Sequence, residues 1–318
     1  MSSHLVTVKD LRVFYRTTSD PVRAVDGVSL SVDRGEIFGI VGESGCGKST
    51  LSMGMLNLIS PPAYIEGGEI SIDGVKLLDL NEEELRRLRL KHFSYIPQGS
   101  MDALNPVMKI KDQIIDGIMA HEYTKRKEAQ QRVKPMLEKV GLSSETAEMY
   151  PHELSGGMRQ RVTIAAATVL HPKFVVADEP STALDVVVQR LVLQFLLNLR
   201  EQGSSVILVS HDVAVQAEVC DRLGVMYAGK IVEIGGVKEM FRNSLHPYTQ
   251  KLIEATPSIE RRKTLARLAG VVPSLVHPSS GCRFVDRCPL ADDQCKKEEP
   301  KLLEITPGHL VACLLSQR

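Results

Sequence analysis

GESGCGKST, residues 42–50, decides the fold, because it fits the pattern G-x-x-x-x-G-K-[ST] of a loop that binds phosphate. EIFGIVG reads as a buried strand that ends at Gly42, and LSMGMLNLI reads as a buried helix after Thr50. The alternative is a glycine-rich turn without a ligand. Strand, loop and helix occur in the order that a P-loop requires, so the sequence predicts a nucleotide-binding site.

Each part of this loop has an expected task. Glycines let backbone N–H groups turn inward on an anion, and the N-terminus of the following helix adds partial positive charge. Lys48 is expected to reach the β- and γ-phosphates, and Ser49 to bind Mg²⁺. Cys46 occupies a variable position of the motif and is expected only to fill space, although an exposed thiol there would make ATP binding sensitive to alkylation. The predicted phosphate-binding set is Gly42, Ser44, Gly45, Cys46, Gly47, Lys48, Ser49 and Thr50.

A second segment with the features of a phosphate-binding site is HELSGGMRQR, residues 152–161. Ser155, Gly156 and Gly157 precede an apolar, small-residue run that predicts a packed helix beginning at the serine. One P-loop already covers the phosphates of a bound nucleotide. A second cradle in the same chain makes sense if it serves the nucleotide of a neighbouring chain.

These segments resemble the ATP-binding subunit of an ATP-binding cassette (ABC) transporter, and the likeness runs over about residues 5–254. The resemblance implies an α/β fold of the P-loop NTPase type. Its expected parts are a RecA-like parallel-sheet core, an antiparallel β-subdomain and a helical signature subdomain at about residues 98–170. The predicted domains are an ATPase at residues 1–255 and a small cysteine-rich C-terminal extension at residues 256–318.

The resemblance also assigns the acidic and histidine positions. FVVADEP looks like a Walker B strand, so Asp178 is expected to hold Mg²⁺ and Glu179 to polarise the attacking water. Two adjacent carboxylates after an apolar strand are costly near a core without a cation, which argues against a plain acidic turn. Asp185 lies in STALD, which resembles the D-loop, and His211 in VILVSHD matches the γ-phosphate switch. Lys48, Glu179 and His211 form the predicted catalytic set.

Two further assignments depend on the same resemblance. Gln98 in SYIPQGS matches the Q-loop, which joins the Mg²⁺ site to the transmembrane partner; the alternative is an exposed loop glutamine. Tyr15 in LRVFYR resembles the aromatic residue that stacks on adenine, although Phe14 is adjacent and such aromatics are often core. Met158 and Gly99 depart from the commonest family pattern without removing a catalytic group.

Composition limits the cellular setting. The 318 residues carry no net charge, so nothing in them supports nucleic-acid binding. We find no apolar run of the ~18 to 20 residues that cross a bilayer. MSSHLVTVKD lacks the charged and apolar regions of a signal peptide. We therefore expect a peripheral protein on the cytoplasmic face of the membrane, attached through partners.

The tail contains the second informative cluster, which is Cys282, Cys288, Cys295 and Cys313. A cytosolic location argues against disulfides, and clustered cysteines predict a metal staple rather than a chance run. Their spacing leaves Zn²⁺ and an iron–sulfur cluster both open. HPYT, PGHxVAC and C-x-F-x-x-R-C-P resemble the oligopeptide and dipeptide importer branch, in which this extension carries a [4Fe–4S] site, so the cluster is favoured.

The resemblance implies the ATP-hydrolysing subunit of an importer. Its expected partners are a second, non-identical ATPase subunit, two transmembrane permease subunits and an extracytoplasmic substrate-binding protein. Di- or oligopeptides are the expected cargo, while oligosaccharides and nickel remain open within the same branch. A soluble ABC ATPase of repair, translation or cluster assembly is the second class. A regulatory module that holds ATP without turnover is the third, and Glu179 and His211 count against it.

Overall fold

A computed structural model describes residues 4–99, 103–182, 184–255 and 273–318. The strands are β1 (His4–Tyr15), β2 (Val22–Asp33), β3 (Ile37–Val41), β4 (Ala63–Ile72), β5 (Val75–Lys76), β6 (Phe93–Ile96), β7 (Phe174–Asp178), β8 (Ser205–Val209), β9 (Arg222–Tyr227), β10 (Lys230–Gly236), β11 (Leu303–Thr306) and β12 (His309–Val311). The α-helices are α1 (Lys48–Met55), α2 (Glu82–Leu88), α3 (Ile110–His121), α4 (Arg126–Lys139), α5 (Gly156–Thr168), α6 (Val186–Glu201), α7 (Val213–Val219), α8 (Val237–Asn243), α9 (Pro247–Glu254) and α10 (Asp293–Lys297). Short 3-10 turns span Leu77–Asp79, Ser144–Glu148, Pro151–Glu153 and Val285–Arg287. Within the described ranges, none of the helices is both long and apolar enough to span a membrane.

The chain divides into two compact units. The first consists of Asp33–Glu36 and Asp79–Ile207, and holds the Q-loop glutamine, the signature segment and strand β7. The second consists of Ser2–Val32, Ile37–Leu78 and Leu208–Arg318, and holds the P-loop, His211 and the C-terminal tail.

The strand before the P-loop, β3, belongs to the main sheet of the second unit. All residues of β3 are buried, and β3 pairs in parallel with β9, in a sheet order β11-β12-β10-β9-β3. β9 and β10 form the predicted hairpin, and Ala228 and Gly229 turn with φ of 45° and 82°. Positive φ at both central residues suits the twist of a tight hairpin. β2, β1, β4 and β5 form a separate sheet in which β4 pairs antiparallel with β1 and with β5, as predicted for the β-subdomain.

The C-terminal tail extends the sheet of the P-loop strand. β12 pairs with β10 through Glu233↔Val311 and Ile234↔Leu310, and β11 adds the outer strand. Arg283 donates to the Asp26 carboxylate and to the Ala228 carbonyl. The tail therefore packs within the second unit. The predicted domain boundary at 255/256 falls where residues 256–272 lie outside the described residues.

The first unit contains the predicted helices. IKDQIIDGIMAH coincides with α3, whose buried isoleucines recur at helical spacing at Ile110, Ile114 and Ile118. α4 covers most of KEAQQRVKPMLEKVGL, and Gly141 follows it with a φ of 72° that suits a helix stop. β6 and β7 pair in parallel, so Ile96 and Ala177 lie side by side at their C-terminal ends. Gln98 and Glu179 follow these two strand ends.

One helix is shorter than predicted. LSMGMLNLI was expected to be helical throughout, but α1 ends at Met55. Asn57 adopts a positive φ of 51°, and the Leu58 N–H turns back to the Met53 carbonyl at 2.9 Å. Asparagine tolerates this left-handed conformation and often terminates helices, so the chain turns although the apolar sequence continues.

Candidate functional site

The P-loop follows β3 directly, and its shape depends on glycines that admit close neighbours. A Cβ on Gly42 would lie 2.2 Å from the Met226 carbonyl oxygen, and one on Gly47 would lie 2.1 Å from the Ala24 carbonyl oxygen. Both contacts are with backbone, so they cannot be relieved by a rotamer change. The backbone of β9 thus requires glycine at position 42, and the backbone of β2 requires it at position 47.

Lys48 is buried with its ammonium turned into this loop. Its Nζ donates to the Gly42 carbonyl at 2.8 Å and to the Glu43 carbonyl at 3.1 Å. These two hydrogen bonds hold the Lys48 ammonium inside the loop, at the place where a phosphate is expected to bind. A phosphate oxygen that enters the loop can replace them as the acceptor, since a charge-assisted bond to an anion is stronger than one to a neutral carbonyl.

Two other residues of the predicted nucleotide set meet at the base of α1. The Tyr15 hydroxyl and Thr50 Oγ1 lie 3.0 Å apart, within hydrogen-bond distance. Tyr15 ends β1 and is part-exposed, so its ring borders the P-loop helix. Ser44 and Gly45 are exposed at the tip of the loop and Ser49 is half-buried. Stacking of adenine on Tyr15 stays a prediction.

Cys46 is buried, with 1% of its surface exposed. Burial raises the pKa of this thiol, and the nearby Lys48 charge opposes the shift only in part. The reading of Cys46 as filler agrees with this position. The alternative of an exposed, alkylation-sensitive thiol does not, because the side chain points away from solvent and stays protonated at neutral pH.

The first unit places the predicted Mg²⁺ ligand inside the protein. Asp178 is fully buried at the end of β7, and its Oδ2 accepts a hydrogen bond from the Tyr95 hydroxyl at 3.0 Å. Burial and the Asp178 charge together raise the pKa of Tyr95, so the phenol remains a donor. A buried carboxylate needs compensation, which a cation supplies.

Glu179 is held in a constrained position beside the Q-loop glutamine. Gln98 Nε2 donates to Glu179 Oε2 at 3.0 Å, and Thr182 Oγ1 donates to the same oxygen at 2.9 Å. Glu179 also has a φ of 45°, which costs a non-glycine residue about 1–3 kcal/mol. The structure therefore brings together two residues that the sequence could assign only separately.

His211 follows β8 and is exposed. The Ser210 N–H donates to the Ile40 carbonyl at 3.2 Å. His211 therefore lies at the same edge of the sheet as the start of the P-loop. Asp212 caps α7 through the Ala214 and Val215 N–H groups. The cap fixes the chain direction just after His211, whose contact with a γ-phosphate stays a prediction.

The signature segment begins a helix, as predicted. Ser155 caps α5, with its Oγ accepting from the Met158 N–H at 3.2 Å, and Ser155 and Gly156 are exposed. Asp185 caps α6 in the same manner through the Val188 N–H at 3.0 Å. An exposed, capped helix start is suited to an anion that another molecule presents.

The four tail cysteines are all free thiols. Cys295 and Cys313 are buried, and Cys282 and Cys288 are half-buried. Burial, together with nearby Cys295, Cys313 and Cys288, raises the pKa of Cys282 to about 11. The Cys282 N–H also donates to the Cys295 carbonyl at 2.8 Å. Among the described residues, no group of three or more ligating side chains converges closely enough to hold a single metal ion.

The sequence did not predict the side chains that contact Glu43 of the P-loop, among them Tyr248, whose hydroxyl accepts from the Glu43 N–H at 3.0 Å. Arg287 in the tail donates to both carboxylate oxygens of Glu43, at 2.7 and 2.8 Å. Glu43 lies at a variable position of the loop motif, so the motif gave no reason to seek a partner for it. The arginine of C-x-F-x-x-R-C-P was the one available signal.

Comparisons with known proteins agree with this geometry. Residues 25–182 match the family described as ABC transporter, and residues 232–295 match the C-terminal region of the oligopeptide/dipeptide transporter family. A structure of the ATP-binding cassette MJ0796, a dimer bound to ADP and Pi in a post-hydrolysis state, is 28% identical. It covers 73% of this chain and 98% of its own, with a TM-score of 0.67.

Relatives match over nearly the full length. A probable peptide ABC transporter ATP-binding protein of Sinorhizobium fredii is 41% identical, covering 97% of this chain and 94% of its own. The oligopeptide transport ATP-binding protein OppD of Escherichia coli is 41% identical over 97% of this chain and 92% of its own. AppF of Bacillus subtilis, also named for oligopeptide transport, is 41% identical over 95% and 92%. The chain belongs to the ABC transporter family and is an ATPase cassette of that family.

Proposed function

We propose that this chain is the ATP-hydrolysing subunit of an importer of di- or oligopeptides. Relatives named for peptide and oligopeptide transport match almost the whole chain at about two-fifths identity, which supports the cargo. The observation that carries the mechanism is the Gln98–Glu179 hydrogen bond. It ties the loop expected to sense the membrane partner to the carboxylate expected to polarise water.

Phosphoryl transfer needs positioning and charge neutralisation more than covalent help. Lys48 neutralises the β- and γ-phosphates after it leaves the Gly42 and Glu43 carbonyls. Glu179 orients the attacking water, and hydrogen bonds from Gln98 and Thr182 to one carboxylate oxygen restrict its direction. His211 contacts the γ-phosphate. Movement of the Q-loop by a permease would then release or restore the Glu179 geometry.

The residues present fit Mg²⁺. Ser49, Gln98 and Asp178 supply hydroxyl, amide and carboxylate oxygens, which are the donors that this ion prefers. Asp178 is fully buried, so a bound cation would offset its negative charge, and the Tyr95 hydroxyl donates to its Oδ2. When bound, Mg²⁺ neutralises charge on the transferred phosphoryl group.

The exposed signature serves the nucleotide of a second, non-identical cassette. Ser155, Gly156 and Gly157 form the start of α5, where the helix dipole and backbone donors favour a phosphate. Asp185 lies at the corresponding start of α6, in the D-loop segment. Closure of two such cassettes around two ATP molecules would drive a pair of permeases. An extracytoplasmic binding protein supplies the cargo, and this subunit stays peripheral at the cytoplasmic face.

The cysteine-rich extension is proposed to hold a [4Fe–4S] cluster. Each ligand of such a cluster binds a different iron, so the four sulfurs need not converge on one point as Zn²⁺ ligands must. The hydrogen bond from the Cys282 N–H to the Cys295 carbonyl at 2.8 Å supports the closeness of these two cysteines. When bound, the cluster supplies a covalent staple for the tail, since ATP-driven import needs no electron transfer.

The cargo is tested in a strain whose chromosomal copy is deleted. We expect uptake of a radiolabelled tripeptide to be lost, and to return with the wild-type gene but not with Glu179→Gln. Uptake of a labelled oligosaccharide and of nickel should stay unchanged. Normal peptide uptake with loss of nickel or sugar uptake would overturn the peptide assignment and leave the ATPase assignment standing.

The cluster is tested by anaerobic purification of the full chain. Iron and inorganic sulfide at about four each per chain, with a brown visible spectrum, are expected. A colourless protein with one zinc per chain would refute the cluster. Cys288→Ser should lower the iron content in parallel with the visible absorbance.

A further inference from the structure

The tail reaches the P-loop through a part-buried ion pair between Arg287 and Glu43. Arg287 Nη1 donates to Glu43 Oε2 at 2.7 Å, and Nη2 donates to Oε1 at 2.8 Å. The Arg287 side chain is 3% exposed and the Glu43 side chain 22%. The two residues are 244 positions apart. A two-bond fork between planar groups fixes orientation as well as distance.

Glu43 passes this constraint to the phosphate-binding atoms. Its backbone N–H donates to the Tyr248 hydroxyl at 3.0 Å, and its carbonyl accepts from Lys48 Nζ at 3.1 Å. The Cys46 N–H also turns toward the same carbonyl at 3.3 Å. One residue thus joins Arg287 to the lysine and to the turn of the loop.

Arg287 is itself held in place by aromatic residues. Its guanidinium lies 5.7 Å from the centre of the Tyr227 ring and donates to the Tyr227 hydroxyl at 3.2 Å. Tyr227 packs against Tyr248 and Phe284, with ring centres 4.6 and 5.2 Å apart. Lys251 Nζ donates to the Arg287 carbonyl at 3.3 Å. The guanidinium therefore has one defined position relative to the loop.

A purely stabilising role accounts poorly for this arrangement. Replacing a buried ion pair by apolar residues is often neutral for stability, because desolvation offsets the attraction. The same pair does fix geometry, and here the geometry belongs to a loop that must match phosphate oxygens. The pair therefore acts mainly by fixing the conformation of the loop.

We propose that Arg287 is a positioning residue of the ATP site, which presets the P-loop through Glu43. This inference rests on the proposed role of the P-loop in binding ATP. Without the pair, Glu43 and the Lys48 acceptor carbonyl gain freedom, and ATP must order the loop when it binds. Because Arg287 touches no reacting atom, the loss should raise the Kd for ATP and leave kcat at saturating ATP near its starting value.

The test measures the Kd for Mg·ATP on the full chain, by competition with a fluorescent ATP analogue. We expect Arg287→Met and Glu43→Gln each to raise the Kd about tenfold, equivalent to about 1.4 kcal/mol. The double variant should bind no more weakly than the worse single variant, because both changes break one link. Arg287→Lys keeps the charge without the fork and should fall between wild type and Arg287→Met.

The matched control is Glu299→Gln, which breaks another ion pair between the tail and the body. Glu299 contacts Lys230 Nζ at 2.6 Å, in a part-exposed position. Its Kd should equal that of wild type. If Arg287→Met fails to fold, Glu43→Gln and Arg287→Lys decide the question.

Two results would overturn the proposal. One is a lower Tm for Arg287→Met with a wild-type Kd, which would leave the pair a structural tie. The other is additivity of the two single changes, which would mean that they act separately. Failure of the wild-type chain to bind ATP is a distinct result, and would refute the proposed function instead.

Discussion

Replacing Gly47 by alanine is expected to destabilise the nucleotide-free chain by about 2–5 kcal/mol. Gly47 has a φ of 108°, where an L side chain is strained by about 1–2 kcal/mol. The new Cβ would also lie 2.1 Å from the Ala24 carbonyl oxygen and 2.7 Å from the Met226 side chain. Forcing such extra volume into a packed site costs about 1–3 kcal/mol more.

Gly45 provides the matched comparison. It has a φ of 77° in the same loop, but a Cβ there would meet nothing within 4 Å. Gly45→Ala should therefore cost only the conformational part, about 1–2 kcal/mol. The difference between the two variants measures the crowding of the new Cβ by Ala24 and Met226.

Urea unfolding without nucleotide measures both variants, since added ATP would mix stability with binding. We expect a lower midpoint for Gly47→Ala than for Gly45→Ala, with similar m values. Equal midpoints would refute the argument that backbone crowding, rather than φ alone, requires glycine at position 47.

Glu179→Gln is expected to lower ATP hydrolysis about 100-fold or more while ATP still binds, because it removes the group that orients water; phosphate release and nucleotide retention measure the two effects, and unchanged turnover contradicts the assignment. Burial raises the Cys46 pKa, so iodoacetamide at pH 7.5 should label Cys46 far more slowly in the folded chain than in urea, by mass spectrometry. Burial lowers the pKa of His246 to about 3 in the folded chain. As the pH falls below about 6.5, this histidine therefore binds a proton in the unfolded chain more readily than in the folded chain. Stability should then fall by up to about 1.4 kcal/mol per pH unit, and His246→Asn, followed by urea titration at several pH values, should flatten that slope.

Local signals predicted much of the site. The start of α5 at Ser155 could be predicted because a serine followed by glycines and a helix-forming run carries its own cap. The strand and loop around Gly42 could be predicted for the same reason, since glycine spacing and buried periodicity lie within one short segment. The sequence assigned Gln98 and Glu179 only separately, and both the pairing of the strands before them and their hydrogen bond required coordinates.

Other features depend on packing between distant segments. The Arg287–Glu43 pair joins residues 244 positions apart, and neither residue type shows its partner in the sequence. The loop position of Cys46 allows an exposed thiol, but the side chain is buried, and the backbone of Cys46 is fixed by the Gly229 N–H, which donates to its carbonyl at 2.9 Å. The end of α1 depends on the conformation of Asn57, which an apolar sequence does not reveal.

The central claim is that this chain hydrolyses ATP to import peptides, and reconstitution tests it most directly. The chain would be assembled in proteoliposomes with its partner cassette and the two permeases, and ATP hydrolysis measured with and without a peptide-loaded binding protein. We expect peptide to stimulate hydrolysis and to accumulate on the side of the cassettes, with Glu179→Gln abolishing both. Hydrolysis that ignores the loaded binding protein, with no peptide movement, would contradict the account.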